Sequence, residues 1–202
     1  MISLLILILA ILAAAWQSRK YFLKRDIINL SQFEDLVFYI IIFGLIGARF
    51  GHVVFFEFSY YLQNPIDIFK VWQGGMSFHG GLIGVIAVSI WFSKKNNQDS
   101  FSYLDVVSIV APIGIFFGRI ANFINSELYG VETDVPWAVK FIQIDNLYRH
   151  PSQLYEAFFE GLILFFILIY FRNKGFMKIS GLISSLFLVF YSTFRFVIEF
   201  YR

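Results

Sequence analysis

The chain has 202 residues, of which 58% are hydrophobic and 21% aromatic, and its formal net charge is only +2. This composition excludes an ordinary soluble domain and is typical of a membrane protein, and the small net charge gives no reason to expect a nucleic-acid partner. The sequence contains no cysteine, which excludes disulfides and a catalytic cysteine of its own, and its three histidines lack zinc-binding spacing. We therefore predict no metal and no cofactor.

Six apolar segments are long enough to cross the hydrocarbon core as helices, which takes about 20 residues. They lie near residues 2–17, 36–56, 75–93, 102–125, 153–171 and 179–201. The predicted fold is an all-α polytopic membrane protein with about six transmembrane helices and a short outer loop between helices four and five. No soluble domain fits between the segments, so residues 1–202 are predicted to form a single integral-membrane domain.

The first segment has two interpretations. The alanines at 13–15 resemble a signal-peptide cleavage site, but the segment lacks a basic start and four basic residues follow it within residues 19–25, which favours a retained helix.

The basic residues of the connections predict the orientation of the chain. Three connections, residues 18–35, 94–101 and 172–178, hold nine basic residues, against four on the opposite side. Because basic connections stay on the cytoplasmic side, the amino terminus is predicted to lie outside.

Local signals refine the helices. Ser31 and Glu34 have capping-box spacing, which predicts that the second helix begins there. Pro112, inside the fourth helix, predicts a kink or a break. Close packing of helices two, three and four is predicted from glycine pairs four residues apart, which allow helices to approach closely. These pairs are Gly47 with Gly51, Gly80 with Gly84, and Gly114 with Gly118.

Polar residues are concentrated at one end of the predicted helices. Arg49, Arg119 and Arg195 lie inside helices, each in the half nearer the outer face. His79 follows a glycine-rich entrance to helix three, and helix five begins with a polar run at residues 152–160. Ionisable groups at membrane depth are costly and therefore indicate function. We expect these side chains to share one outer layer.

Helical spacing predicts two polar stripes. Arg119, Asn122 and Ser126 fall within about 60° of one another on an ideal helix. Tyr191, Arg195 and Glu199 form an i, i+4, i+8 row. An arginine fork binds phosphate and stays charged in apolar surroundings, and a histidine can relay a proton near neutral pH. The pattern predicts phospholipid chemistry in the outer leaflet.

Two alternatives use the same residues. Arginines can simply pair with glutamates between helices, for example with Glu156 or Glu199, and buried arginines can also line the path of a small-anion transporter. A transporter requires polar residues along the full depth of the membrane. The inner halves of these helices are nearly all apolar, with Asp105 as an exception.

Four blocks in order resemble the bacterial prolipoprotein diacylglyceryl transferase family. They are residues 71–81 (VWQGGMSFHGG), 118–130 (GRIANFINSELYG), 149–156 (RHPSQLYE) and 194–200 (FRFVIEF), with Gly47-Ala48-Arg49 matching as well. The resemblance implies transfer of the diacylglyceryl group of phosphatidylglycerol to the lipobox cysteine of a preprolipoprotein signal peptide, with formation of a thioether and release of glycerol phosphate. It implies a multi-pass protein of the bacterial inner membrane, in contact with membrane lipids, with its active site towards the outer leaflet.

The resemblance also assigns residues. Arg119 and Arg195 are expected to hold the phosphate, and His79 is the candidate to accept the thiol proton. Further family positions, taken as substrate-binding, are Arg49, Asn122, Glu127, Gly130, Tyr191 and Glu199. Ala121 and Ser126 stand where the family usually has glycine. The chain is expected to lack the family's extreme amino terminus and seventh helix, so a truncated, inactive family member is an alternative.

Overall fold

The computed structural model describes residues 2–24 and 27–202, so Arg25, one of the basic residues used to orient the chain, lies outside the described residues. The α-helices are α1 (Ile2–Lys24), α2 (Leu30–Phe55), α3 (Phe58–Gln63), α4 (Phe78–Lys95), α5 (Ser100–Ile124), α6 (Ser152–Glu156), α7 (Leu164–Asn173) and α8 (Leu182–Glu199). A π-helical segment, Ala157–Ile163, joins α6 to α7. Short 3₁₀ turns occupy Pro65–Phe69, Val71–Gln73 and Phe176–Lys178, and strands β1 (Val139–Lys140) and β2 (Tyr148–Arg149) pair antiparallel.

Each of the six apolar segments contains a helix. Within the described residues, four helical stretches are long and apolar enough to cross a membrane, namely Leu30–Phe55, Ser100–Ile124, Ser152–Asn173 and Leu182–Glu199. The helical membrane class is therefore confirmed. The number of six spans and their orientation stay predictions.

Helix α2 begins earlier than predicted. Asn29 is its N-cap, because the Asn29 side chain accepts a hydrogen bond from the Gln32 backbone N–H at 2.9 Å. The Asn29 backbone N–H in turn donates to the Gln32 side chain at 3.0 Å. This reciprocal pair is a capping box, and it satisfies donors that the first turn leaves free. The prediction from Ser31 and Glu34 is thus wrong, since a second box with the same spacing lies two residues earlier.

The chain divides into two compact units, one formed by residues up to Tyr21 together with Asp105–Arg202, and the other by Phe22–Leu104. In the second unit α2 packs closely on α4. A Cβ added at Gly80 would collide with the Gly47 carbonyl and would lie 3.0 Å from Gly51 Cα. A Cβ at Gly84 would collide with the carbonyl of Phe43. The predicted close approach of these two helices through glycine is confirmed.

The third glycine pair, Gly114 with Gly118, makes no such contact within its own unit. A Cβ added at either glycine would meet no described atom of that unit within 4 Å, apart from the helix's own nearby backbone. The packing of α5 against α2 and α4 stays a prediction, because those two helices belong to the other unit. Pro112 lies inside α5, which continues through it without a break.

In the first unit, a buried carboxylate of α5 caps α8. Asp105 is only 1% exposed, and its two carboxylate oxygens accept hydrogen bonds from the backbone N–H groups of Gly181 at 2.9 Å and Ser184 at 2.8 Å. These donors belong to the start of α8, where the helix dipole favours a negative charge. Asp105 therefore joins two helices and has a structural explanation.

Replacing Asp105 by alanine is expected to destabilise this unit by about 1–3 kcal/mol, because two buried N–H donors lose their acceptor. Thermal unfolding of the purified protein in detergent measures the loss. The matched control is Asp134→Ala, which removes an exposed carboxylate of the same unit and should leave the unfolding temperature unchanged. Equal unfolding temperatures for Asp105→Ala and the unsubstituted protein would contradict the capping role.

Candidate functional site

The segment 118–130 ends α5 and turns the chain sharply. The helix stops at Ile124, and Ser126 and Leu128 adopt left-handed backbone conformations with φ of 58° and 54°. The Glu127 backbone N–H donates to the Asn122 carbonyl at 2.9 Å, which closes the turn. Ser126 therefore lies beyond the helix, and its predicted place on one helical stripe with Arg119 is wrong.

The left-handed turn gives a test with two opposite outcomes. Ser126→Gly should stabilise the protein by about 1 kcal/mol, because a side chain is strained at positive φ. Ala121→Gly lies inside α5 and should destabilise it by about 0.5–1 kcal/mol through lost helix propensity. Unfolding temperatures of the two variants measure both effects. The same sign for both variants would contradict this account of the turn.

The two arginines predicted for phosphate binding converge on one carboxylate. Glu156 lies at the end of α6 and is fully buried, with 0% exposure. Arg119 Nε lies 3.0 Å from Glu156 Oε2, and Arg195 Nη1 forms an ion pair with Glu156 Oε1. Arg202 Nη1 lies 3.8 Å from Glu156 Oε1. Three guanidiniums thus surround one buried anion.

Helix α8 supplies the second polar stripe as predicted. Tyr191, Arg195 and Glu199 all lie within its helical range. Arg195 Nη2 donates to Glu199 Oε2 at 2.6 Å, the i, i+4 pair that the spacing predicted. Tyr191 lies one turn earlier, with its ring stacked on Phe187 at 5.6 Å between centroids. Arg195 therefore bridges the Glu156 carboxylate and its own helix.

A second carboxylate, Glu160, lies one turn beyond Glu156 in the π-helical segment. It is also fully buried, and neither of its oxygens has a hydrogen-bond partner among the described residues. Arg195 Nη1 lies 3.9 Å from Glu160 Oε1. We name the set of charged groups formed by Arg119, Arg195, Arg202, Glu156, Glu160 and Glu199 the arginine–glutamate cluster.

Residues of α6 hold the turn that follows α5. The Gln153 side-chain amide donates to the Glu127 carbonyl at 2.6 Å, and the Ser152 hydroxyl donates to the Leu128 carbonyl at 3.1 Å. The Glu127 side chain is exposed, and Asn125 Nδ2 lies 3.4 Å from its Oε1. The structure thus fixes Glu127 through its backbone, while its carboxylate remains accessible for a ligand.

Gly130 has a steric reason to be glycine. An added Cβ would collide with the Tyr201 carbonyl and would lie 2.8 Å from the carbonyl oxygen of His150. The Gly130 backbone N–H donates to the same His150 oxygen at 3.0 Å. Its role within this unit is therefore the close approach of three chain segments.

The loop predicted to lie on the outer side, residues 126–152, carries the two-stranded sheet. Its ion pair joins Arg149 Nη2 to Asp145 Oδ2 at 2.7 Å, and the hydrogen bond from Arg149 lowers the pKa of the Asp145 carboxyl below its usual value. The Trp137 indole N–H donates to the Tyr155 hydroxyl at 2.7 Å. Trp137 thus has a defined partner on α6 and holds the loop to that helix.

In the other unit, Arg49 is held by backbone carbonyls. It is 6% exposed, and its guanidinium donates to the carbonyls of Asp67 and Gly74 at 2.6 Å, Ile68 at 2.8 Å and Gly75 at 3.0 Å. These four bonds hold the loop that precedes α4. Because its donors are engaged with the chain itself, a direct contact of Arg49 with substrate stays an untested prediction.

His79 lies in the first turn of α4 and its side chain is exposed. Ser77 is the N-cap of this helix, and its hydroxyl accepts a hydrogen bond from the Gly80 backbone N–H at 3.3 Å. The cap fixes the residue at which α4 begins, and it therefore fixes the position of His79 within the first turn. An exposed imidazole at a helix start is accessible for proton transfer.

Of the predicted site residues, the structure brings Arg119, Arg195 and Glu199 together in one cluster, with Tyr191 on the same helix. Asn122, Glu127 and Gly130 belong to the same unit and form or follow the end of α5. His79 and Arg49 belong to the other unit. The predicted set omitted Glu156 and Glu160, although their four-residue spacing at the start of a span was visible in the sequence.

Comparison with known proteins bears on what this cluster does. A model of the prolipoprotein diacylglyceryl transferase family matches residues 4–202, nearly the whole chain. The chain belongs to the prolipoprotein diacylglyceryl transferase family. The resemblance carried by the four sequence blocks is therefore confirmed, and the arginine–glutamate cluster is a feature of a member of this family.

Curated relatives match most of this chain but extend beyond it. The phosphatidylglycerol–prolipoprotein diacylglyceryl transferase of Vibrio campbellii is 50% identical over 171 residues, which cover 85% of this chain and 62% of the relative. The enzyme of the same name from Bordetella parapertussis is 48% identical over 170 residues, covering 84% of this chain and 64% of the relative. The chain therefore spans less than two thirds of the length of these members of the prolipoprotein diacylglyceryl transferase family.

Proposed function

We propose that the chain transfers the diacylglyceryl group of phosphatidylglycerol to the thiol of a lipobox cysteine in a preprolipoprotein. Membership of the family and the names of its relatives support this substrate pair. The observation that carries the proposal is the convergence of Arg119 and Arg195 on one buried anion position at Glu156. Two guanidiniums that contact the two oxygens of one carboxylate also lie close enough together to bind one phosphate. Both anions present paired oxygens to an arginine.

In the proposed reaction the thiol sulfur forms a bond to the glycerol carbon, and the bond from that carbon to the phosphate oxygen breaks. The phosphate leaves as glycerol phosphate, and its developing charge is stabilised by Arg119 and Arg195. The thiol proton passes to a base, for which His79 is the candidate. The nucleophile arrives on the substrate, which agrees with a sequence without cysteine.

The proposed topology has six spans, with the amino terminus outside and the cluster towards the outer leaflet of the bacterial inner membrane. It is supported by the nine basic residues in three alternate connections. Single cysteines introduced at Lys94 and at Trp137 test it, because the native chain has none. In intact cells, a thiol reagent that does not cross membranes should label position 137 and leave position 94 unlabelled; the reverse pattern would contradict the topology.

The activity is tested with purified protein, phosphatidylglycerol and a synthetic lipobox peptide. Mass spectrometry should show the peptide with one added diacylglyceryl group, and release of glycerol phosphate should match it in amount. A peptide with serine in place of the lipobox cysteine serves as the control and should remain unmodified. An inserted, folded protein that gives no product would overturn the proposal.

The transporter alternative is less well supported. A transporter needs polar residues in the inner halves of the helices, and Asp105 near the start of α5 is the exception that the sequence offered. The Asp105 carboxylate instead caps α8 by accepting two backbone hydrogen bonds. Anion flux through proteoliposomes, measured without lipid turnover, would be the result that favours a transporter.

A further inference from the structure

The Glu160 carboxylate is the least satisfied member of the arginine–glutamate cluster. It is wholly buried, and no hydrogen bond reaches either oxygen within the described part of the chain. The nearest cation, Arg195 Nη1, lies 3.9 Å away and is already engaged by Glu156. An ionised carboxylate in this state lacks the hydrogen bonds that normally offset its removal from water.

The backbone around Glu160 cannot easily relax. The next residue, Gly161, lies directly against α5, because a Cβ there would lie 2.8 Å from Phe116 Cα and 3.1 Å from Phe116 N. Segments with π-helical geometry inside an α-helix are uncommon and are frequently found at functional sites. The π-helical segment and this contact therefore hold Glu160 inside the cluster.

The charges of the cluster balance without a ligand. The charged groups are Arg119 from α5, Glu156 and Glu160 from the span 152–173, Arg195 and Glu199 from α8, and Arg202 after it, with Tyr191 of α8 as a further titratable side chain. With every group ionised, three guanidiniums face three carboxylates. A phosphodiester adds one negative charge, and an unbalanced charge in apolar surroundings is costly.

We propose that Glu160 takes up one proton when a phosphodiester binds between Arg119 and Arg195. This inference rests on the proposed function, because that function places the phosphate there. Protonation restores charge balance, and Glu160 is the carboxylate that loses least, since Glu156 and Glu199 both hold close ion pairs with arginine. Phosphate binding therefore strengthens as the pH falls, and the proton leaves again when the phosphate departs.

The test measures proton uptake without turnover. Short-chain phosphatidylglycerol is titrated calorimetrically into the full chain in detergent, in two buffers that differ in ionisation enthalpy and without any peptide. The unsubstituted protein should take up at most about one proton per lipid bound. Over the pH range where a full proton is taken up, its affinity for the lipid should rise about tenfold for each unit by which the pH falls. Glycerol phosphate, titrated separately, shows whether the free phosphate ester is bound in the same way as the lipid.

Glu160→Gln mimics the protonated carboxyl, so it should bind the lipid at least as tightly, with no proton uptake and no dependence on pH over the same range. Asp134→Asn, an exposed carboxylate of the same unit, should leave the uptake unchanged. Infrared difference spectra provide a second readout, since lipid binding to the unsubstituted protein should produce a carboxylic-acid carbonyl band that shifts in D2O, unlike the ester carbonyl bands of the lipid. That readout remains if the Gln variant does not fold.

Several results would overturn the inference. They are lipid binding without proton uptake, a Gln variant that still takes up a proton, a folded Gln variant that no longer binds, and the absence of the carboxylic-acid band. Failure of the proposed function looks different. If the chain binds the lipid with proton uptake that depends on Glu160 but transfers nothing to the peptide, the inference holds and the proposed transferase activity is contradicted. If the chain binds neither the lipid nor glycerol phosphate, both are contradicted.

Discussion

Replacing Arg195 by alanine is expected to lower the rate of diacylglyceryl transfer by about 10²–10³-fold, the usual cost of removing a donor that stabilises charge in the transition state. Arg195 is the residue that contacts Glu156 and Glu199 at once. The substitution removes one of the two guanidiniums proposed to bind the phosphate, and it leaves the buried Glu156 carboxylate with one ion-pair partner fewer. The rate is measured as modified lipobox peptide over time, with the amount of membrane-inserted protein held equal.

Three further variants sharpen this prediction. Arg172→Ala removes an arginine of the same unit whose guanidinium lies over the Tyr21 ring at 4.8 Å, away from the cluster, and should retain near-normal transfer. Arg195→Lys keeps the charge but loses the planar fork, so it should rescue only part of the rate. Arg119→Ala should also abolish most of the transfer. Normal transfer by either alanine variant of the cluster would remove that arginine from the phosphate site.

Arg119 and Arg195 should not act independently. Because both contact Glu156, removing either one alters the electrostatic environment of the other. The loss of activity in the double variant Arg119→Ala with Arg195→Ala should therefore be smaller than the product of the two single losses. Strict multiplication of the losses would indicate that the two guanidiniums serve separate steps.

The helical framework was predictable because it depends on one property, the length of apolar runs. Each predicted segment contains a helix, and the row of Tyr191, Arg195 and Glu199 follows directly from helical spacing. Glycine pairs predicted the α2–α4 contact correctly, whereas Gly114 and Gly118 meet no described atom of their own unit. A glycine permits close approach without requiring it, so spacing alone does not tell which pairs meet another helix.

The chemistry of the cluster was predictable only in part. The sequence indicated that Glu156 or Glu199 was able to pair with an arginine, but not that one carboxylate would receive two of them. That arrangement depends on how α5, α6 and α8 approach one another. The π-helical segment around Glu160 and the left-handed turn at Ser126 were missed for a similar reason, since both follow from tertiary contacts rather than from a local pattern.

Replacing His79 by glutamine is expected to lower the turnover number for transfer by about 10²–10⁴-fold, the range for loss of a general base. Phosphatidylglycerol binding should change little, because Arg119 and Arg195, the cations proposed to hold the phosphate, remain in the variant. The control is His52→Gln in the same unit. The His52 ring stacks on Phe56, and its Nε2 lies 3.4 Å from Glu57 Oε2, so His52 already has partners within the chain.

The dependence of the rate on pH separates proton transfer from a merely structural role of His79. The lipobox thiol has an ordinary pKa of about 8.5, so above that pH it ionises without help. If His79 accepts the thiol proton, the variant His79→Gln, which lacks the imidazole, should recover part of its rate as the pH rises through this value, while the unsubstituted protein gains little. A rate that stays equally low at high pH would show that His79 acts on something other than the thiol proton.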